Sequence, residues 1–525
     1  MKGFKEIKKL NSKGKKNESK LILDLAIENH KKGNLSKAEE EYKKFLKKGF
    51  KNPQVFSNLA IIYASTNRFE PAISLLKKSI NLYPKDINSY FNLGKLYKNL
   101  KQIKNATYIL EEGLKIDPNN STVLNILGNL YNDSNFEDKA EEYFLKALKY
   151  DSHNKLLLYN YGNLLIKKGN FEKASNHLIK SIKLDNYFAK AYYSLCTLPN
   201  PQKNFEIKDL LFSDKIIKKI PQTEIADIYF ARSHILHKIK DYKNSSINLK
   251  LANDISLQYF PSEATELIQK AEIIEKNYPL SKSKNKQNAL KHLFIVGMPR
   301  SGSTLIESII NMNNEVEDLG ETNIFEESLI DINKNSGELS INDLESIYIQ
   351  KIKKIFRKEC ITTNKNLLNF MYSRLISNEF PNAKIIYCFR NPLDNILSLY
   401  RANFRFGMRF ASSIEESAKI YLFQENLMKK IIDDSPHNIF PVEYENITTY
   451  PELEIKKLIS WLGFDWNESY LNPHLSKRNV STASDTQIRT PINTNSIAGW
   501  KNYKELLKPA IDILKENKKY KNIDQ

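Results

Sequence analysis

Small side chains return along the first part of this chain at one fixed interval, and that interval limits the architecture more than any other feature. Ala38, Ala72, Ala106, Ala140 and Ala174 stand 34 positions apart, and Ala26, Ala60, Gly94, Gly128 and Gly162 keep the same step. Asp117, Asp151 and Asp185 share it, as do Pro84 and Pro118. A period of this length belongs to stacked copies of one small unit, not to a single closed core.

These residues resemble the pattern of tetratricopeptide repeats. The resemblance implies two antiparallel helices per unit, with the Gly or Ala of the first and the Ala of the second placed where the helices cross. Tyr63, Tyr97 and Tyr131, with Leu165 at the next step, would fill the space beside them. Pro84 and Pro118 follow second helices, where a residue without an N–H cannot extend the helix. Five full units run from about Leu21 to Phe188. The chain then breaks at Pro199-Asn200-Pro201, and a weaker unit returns over Ile225–Asn253, with Ser245 and Ser246 where a small apolar residue is usual. Such arrays hold a peptide or protein partner on a concave face, or only support or dimerise the domain attached to them; both readings stay open.

At 525 residues the chain exceeds one ordinary domain. The expected division is a basic N-terminal tail (1–20), the repeat array (21–198), a helical repeat-like extension (199–280), a polar linker (281–291) and a C-terminal domain (292–525). Lys and Arg outnumber Asp and Glu by 80 to 61, a net charge of +19, which favours acidic partners or simply a solvated lysine-rich surface. No basic cluster interleaved with aromatics stands out, so nucleic acid is not expected. Cys196, Cys360 and Cys388 are too few and too scattered for a disulfide framework or a metal site. The basic N-terminus leads into no apolar segment, and no apolar run is long enough for a membrane span. A cytoplasmic protein is expected.

Behind the linker comes HLFIVGMPRSGSTLIESII: a short apolar strand at Leu293–Val296, a turn-rich loop at Gly297–Thr304 and a helix from Leu305. Strand, glycine loop and helix N-terminus together form an anion site. The spacing Gly297-x-x-x-x-Gly302 is that of a nucleotide-phosphate loop, but Ser303 stands where a kinase needs Lys, and the positive charge is Arg300.

That departure is similar to the 5′-phosphosulfate loop (PRSGT or PKSGT) of sulfotransferases, which use 3′-phosphoadenosine-5′-phosphosulfate (PAPS). Further segments resemble the tyrosylprotein sulfotransferase family. Leu319-Gly320-Glu321-Thr322 matches its G-E-E-T segment, with Glu321 on the catalytic base; the other reading is a surface glutamate starting a helix. TTNKNLLNF matches N-K-D-P or D-K-M-P-x-N-F and puts Lys365 on the lysine that stabilises the transition state, although Leu367 or Leu368 replaces the proline. In FPNAKIIYCFRNPLDNILSLY, Arg390 ends a strand and Ser398 follows eight residues later, the spacing of the family's 3′-phosphate contacts. Its further Arg is Ala402 here. Tyr444 falls on a cofactor-contacting tyrosine. In STASDTQIRTPINTNSIAGW, Ser484 matches a serine beside the transferred group, and Gln487 to Asn493 would close over the nucleotide; Gly499 replaces the family's Lys before Trp500.

The resemblance covers roughly His292 to the end. It implies an α-solenoid followed by a P-loop-like α/β domain with a mainly parallel sheet. Arg300, Ser301, Gly302, Ser303, Thr304, Arg390, Ser398, Tyr444 and Gln487 would bind PAPS; Glu321, Lys365 and Ser484 would act on the sulfuryl group, and no metal is implied. The acceptor is a hydroxyl, protein tyrosine first, with glycan, lipid or small-metabolite hydroxyls as alternatives. A repeat adaptor whose second domain binds nucleotide without turnover is the alternative of another class.

Overall fold

The computed structural model describes residues 2–199, 206–278, 290–334, 340–356, 360–404, 407–475 and 489–525. Most of the expected linker, 281–289, and the candidate residues Ser484 and Gln487 lie outside this set. By contacts the chain groups into residues 1–164 and 165–525.

In the first group helices alternate in pairs: Pro53–Ser65 with Phe69–Leu82, Ile87–Asn99 with Ile103–Ile116, and Ser121–Asp133 with Glu137–Tyr150. The basic segment read as a tail is continuous with one helix, Lys2–Lys31, which pairs with Leu35–Lys47. The small residues mark helix crossings. A Cβ on Gly94 would overlap Leu110, and one on Gly128 would lie 2.6 Å from the Phe144 ring. The bulk facing these glycines comes from the second helix, whose Tyr42, Leu76, Leu110 and Phe144 also recur every 34 residues and are buried. Each turn between paired helices holds one residue in the left-handed region: Gly33, Asn67, Lys101, Asn135 and Gly169.

The second group is built on five parallel strands, β1 (His292–Gly297), β2 (Val316–Asp318), β3 (Ile361–Asn364), β4 (Ala383–Phe389) and β5 (Ile439–Glu443), in the order β2-β3-β1-β4-β5. β1 is buried along its whole length, as its unbroken apolar run requires. Separate apolar clusters draw on alternate residues of β1: Phe294 and Val296 in one, Leu293 and Ile295 in another.

A third cluster joins the repeat-like extension to the sheet domain, combining Phe230, Leu249 and Ala252 with Leu393, Ile396, Phe410 and Trp500. Counted from the left-handed Lys240, Ser233 and Ser245 occupy the two small-residue positions of a repeat and Leu249 the bulky one. The serines fit because they are paired: Ser233 Oγ lies 3.0 Å from Ser245 Oγ, which lies 2.9 Å from Tyr503 Oη. Asn253 donates to the Tyr400 carbonyl (2.9 Å), and Arg374 bridges Glu275 and Asp434. The weak repeat is thus a repeat specialised for docking the sheet domain. Among the described residues no helix is long and apolar enough to cross a membrane.

Candidate active site

Parallel strands send all their C-terminal ends to one edge, and each of the five delivers a part of the site there. β1 leads into the phosphate loop, β2 into Glu321, β3 into Lys365, β4 into Arg390 and β5 into Tyr444.

The loop from Gly297 to Gly302 turns three times through the left-handed region, at Gly297 (φ +146°), Arg300 (φ +69°) and Gly302 (φ +89°). A Cβ on Gly297 would collide with the Cys388 carbonyl, and one on Gly302 would lie 2.5 Å from the Tyr444 ring, so both positions require glycine. The helix Ser303–Ile310 starts directly behind Gly302. Ser301, Ser303 and Thr304 are buried, and Ser301 Oγ makes no hydrogen bond among the described residues.

A cavity of ≈ 340 Å³ opens beside this loop, lined by Arg300, Gly302, Thr304, Arg390 and Tyr444, by Thr490–Asn493, Asn495 and Ser496, and by Thr197 and Pro199, where the repeat array passes into the helical extension. Arg390 is buried; one Nη donates to the Arg300 carbonyl (3.3 Å) and the other to the Ser496 carbonyl, while its guanidinium lies 4.6 Å from the Tyr444 ring centre. Arg300 donates from Nε to Ser398 Oγ at 3.0 Å, so Ser398 fixes a cavity arginine. Burial, with the nearby Arg390 charge adding to it, brings the Arg300 guanidinium down to about 10. Two arginines at such close quarters favour an anionic occupant.

The second part of the site is a charged cluster. Adjacent strands β2 and β3 continue side by side past their ends, with Lys365 N bonded to the Gly320 carbonyl (3.0 Å), and this puts Lys365 beside Glu321. Lys365 Nζ lies 2.8 Å from Glu321 and 3.5 Å from Glu307, with its side chain 1% exposed against 48% for Glu321. Burial works against the Lys365 charge, but Glu307 and then Glu321 outweigh it and hold the ammonium above its ordinary value. The turn after Lys365 needs no proline at Leu367 or Leu368, because Asn364 Oδ1 accepts from Asn366 N (3.1 Å) and Asn369 Nδ2 (3.2 Å).

Some of the site went unread in the sequence. Glu307 is the one acid in the apolar helix STLIESII, a signal open to notice. Thr197 and Pro199 carry no motif at all. Asp394 accepts from Ala498 N (2.7 Å) and Trp500 N (2.9 Å), which ties the C-terminal segment to the helix Pro392–Tyr400 next to Gly499. Arg401 is withdrawn from the cavity lining and lies 6.0 Å from the Tyr503 ring centre.

Residues 292–468 match the family model described as the sulfotransferase family, and residues 53–86, 75–107, 121–154 and 157–188 match tetratricopeptide-repeat models. The chain carries a sulfotransferase-family domain behind tetratricopeptide repeats. The sulfotransferase domain as matched includes the phosphate loop, Glu321, Lys365, Arg390 and Tyr444. An uncharacterized protein of Aquifex aeolicus is 29% identical over 57% of this chain and 42% of its own length. A putative protein-tyrosine sulfotransferase of Caenorhabditis briggsae is 23% identical over 40% of this chain and 80% of its own. The protein-tyrosine sulfotransferase 2 of Gallus gallus is 22% identical over 40% and 62% respectively. The chain therefore spans less than half of the Aquifex relative.

Proposed function

We propose that the chain transfers a sulfuryl group from PAPS to an acceptor hydroxyl, with protein tyrosine as the acceptor and the tetratricopeptide repeats recruiting it. The observation that carries this reading is the convergence of the phosphate loop, a buried arginine after β4 and a Glu–Lys pair on one sheet edge. The donor fits the residues present: the glycine cradle, the buried Arg390 and Ser301 Oγ, unbonded among the described residues, suit a phosphorylated, acidic nucleotide. Tyrosine as acceptor rests on the names of the relatives, and recruitment rests on the repeats.

In this reading the phosphate loop holds the phosphosulfate, and Arg390 takes the 3′-phosphate, next to Arg300, which Ser398 holds by its hydroxyl. When bound, PAPS supplies an activated sulfuryl group on a phosphate leaving group. Glu321, half-exposed and open to an incoming acceptor, takes the hydroxyl proton as the acceptor oxygen bonds to sulfur. The sulfur–oxygen bond to phosphate breaks, its electron pair stays on the phosphate oxygen, and Lys365 neutralises that charge. The products are a sulfate ester and 3′-phosphoadenosine-5′-phosphate (PAP). Labelled PAPS offered with tyrosine peptides, glycans, lipids and small phenols tests the reading. Label in the tyrosine peptide is the expected result; label in another acceptor overturns the tyrosine assignment, and none anywhere overturns transfer.

A further inference from the structure

Glutamate 307 has no task in the reaction just described, yet it occupies the centre of the cluster. Its side chain is 5% exposed, and Oε1 makes no hydrogen bond among the described residues. A carboxyl that deep lowers stability unless its oxygens are paired, and a buried acid of this kind in a cleft is a candidate for function. Charged and titratable groups meet it from three strands: Lys365 Nζ at 3.5 Å beyond β3, Asp318 within hydrogen-bonding reach at the end of β2 with Glu321 beyond, and the Cys388 thiol of β4. Burial keeps that thiol protonated.

Lys365 faces a conflict during turnover. At rest its nearest partner is Glu321, at 2.8 Å. Glu321 must take the acceptor's proton and so loses its negative charge at the moment Lys365 is needed at the leaving oxygen. A second, fixed anchor resolves this, and Glu307 is placed to be one. It stands one helical turn after Ser303, on the helix that begins at the phosphate loop, so it ties the lysine to the element that holds the nucleotide.

We propose, resting on the sulfotransferase reading, that Glu307 is a positioning residue of sulfuryl transfer: it keeps the Lys365 ammonium aimed along the phosphate-loop helix while Glu321 takes the acceptor's proton. A carboxyl and an amide each present an acceptor oxygen to the ammonium from the same position, so glutamine preserves the anchor and alanine removes it.

The test compares intact wild type, Glu307→Gln and Glu307→Ala for turnover of labelled PAPS with the acceptor wild type uses best, and for calorimetric binding of PAP. Glu307→Ala is expected to lower kcat about 10- to 100-fold, the range for a misaligned catalytic group, with the Kd for PAP changed by no more than about twofold. Glu307→Gln is expected to regain wild-type kcat within about threefold. An alanine variant with wild-type kcat, a loss of PAP affinity equal to the loss in kcat, or a glutamine variant as slow as alanine each overturns the proposal. A wild type that binds PAP and transfers nothing overturns the sulfotransferase reading as well, which separates the two failures.

Discussion

Arg390 is held from several sides before any ligand arrives, by the Ser496 and Arg300 carbonyls its side chain reaches and by the Tyr421 hydroxyl, which donates to the Arg390 carbonyl at 2.6 Å. A donor fixed in this way loses little freedom on binding, so its charge-assisted contact should be worth about 1.5–3 kcal/mol. Arg390→Ala should weaken PAP roughly tenfold to a hundredfold and leave ATP nearly unchanged, as titration calorimetry would read it. Equal weakening of both removes the 3′-phosphate role. Lys365→Ala and Glu321→Gln should instead lower kcat, by about 10²–10⁴ for the base, with PAP binding nearly intact. Full activity of Glu321→Gln at neutral pH would move the base elsewhere. Glu307 gives a pH signature of its own. Burial raises its carboxyl well above the ordinary value, with Asp318 adding to this and Lys365 opposing it. The carboxyl therefore binds its proton more tightly in the native protein than in the unfolded chain, so the stability this contributes is present below the unfolded value near pH ~4.3 and is lost as pH rises toward the raised native one. Glu307→Gln abolishes that loss, so its denaturation midpoint should exceed that of wild type at pH 7.5 and approach it at pH 4. Most of these residues were legible because motif spacing marks them. Glu307 was not, since one acid in an apolar helix reveals its partners only when β2 and β3 are seen to end beside it.

Among the elements, the repeats were legible in outline because steric exclusion writes itself into sequence as a strict interval. What the interval did not reveal is the partner of each small residue: the tyrosines of the first helices looked like the filler, whereas Leu110 and Phe144 of the second helices meet the glycines. The left-handed turns were equally hidden, because Lys101 and Lys240 occupy positions where sequence leads one to expect glycine or asparagine. An L-residue there costs about 1–2 kcal/mol, so Lys101→Gly should raise the thermal midpoint of the array. A lowered midpoint would contradict the turn geometry. Ser245 looked like repeat decay and is a docking contact. Restoring the repeat consensus with Ser245→Ala should therefore destabilise the protein, by about 1–3 kcal/mol for the polar partners left behind, measured by urea unfolding. An unchanged or raised midpoint would mean that the serine pair carries no load.

For the whole molecule, the motifs place every candidate cofactor residue after residue 281, which leaves open whether that part of the chain binds nucleotide by itself or needs the helices before it. The packing favours the second. Phe230, Leu249 and Ala252 fill a cluster with Leu393 and Trp500, and Thr197 and Pro199 line the cavity itself. A chain starting near Ser281 would expose that apolar surface, so it should aggregate or bind ANS, whereas residues 165–525 keep the cluster and the cavity lining together. A folded, PAP-binding fragment from Ser281 would show that the extension is dispensable. Such long-range packing is invisible to motif reading, because nothing in Thr197 or Phe230 announces a partner some two hundred residues away. The central claim is that the cavity is built for a nucleotide with a 3′-phosphate, and calorimetric titration of the intact protein with PAP and with ADP measures this most directly. PAP should occupy one site and bind at least about tenfold more tightly than ADP, as one charge-assisted contact requires. Equal affinities, or no binding of PAP, would contradict it.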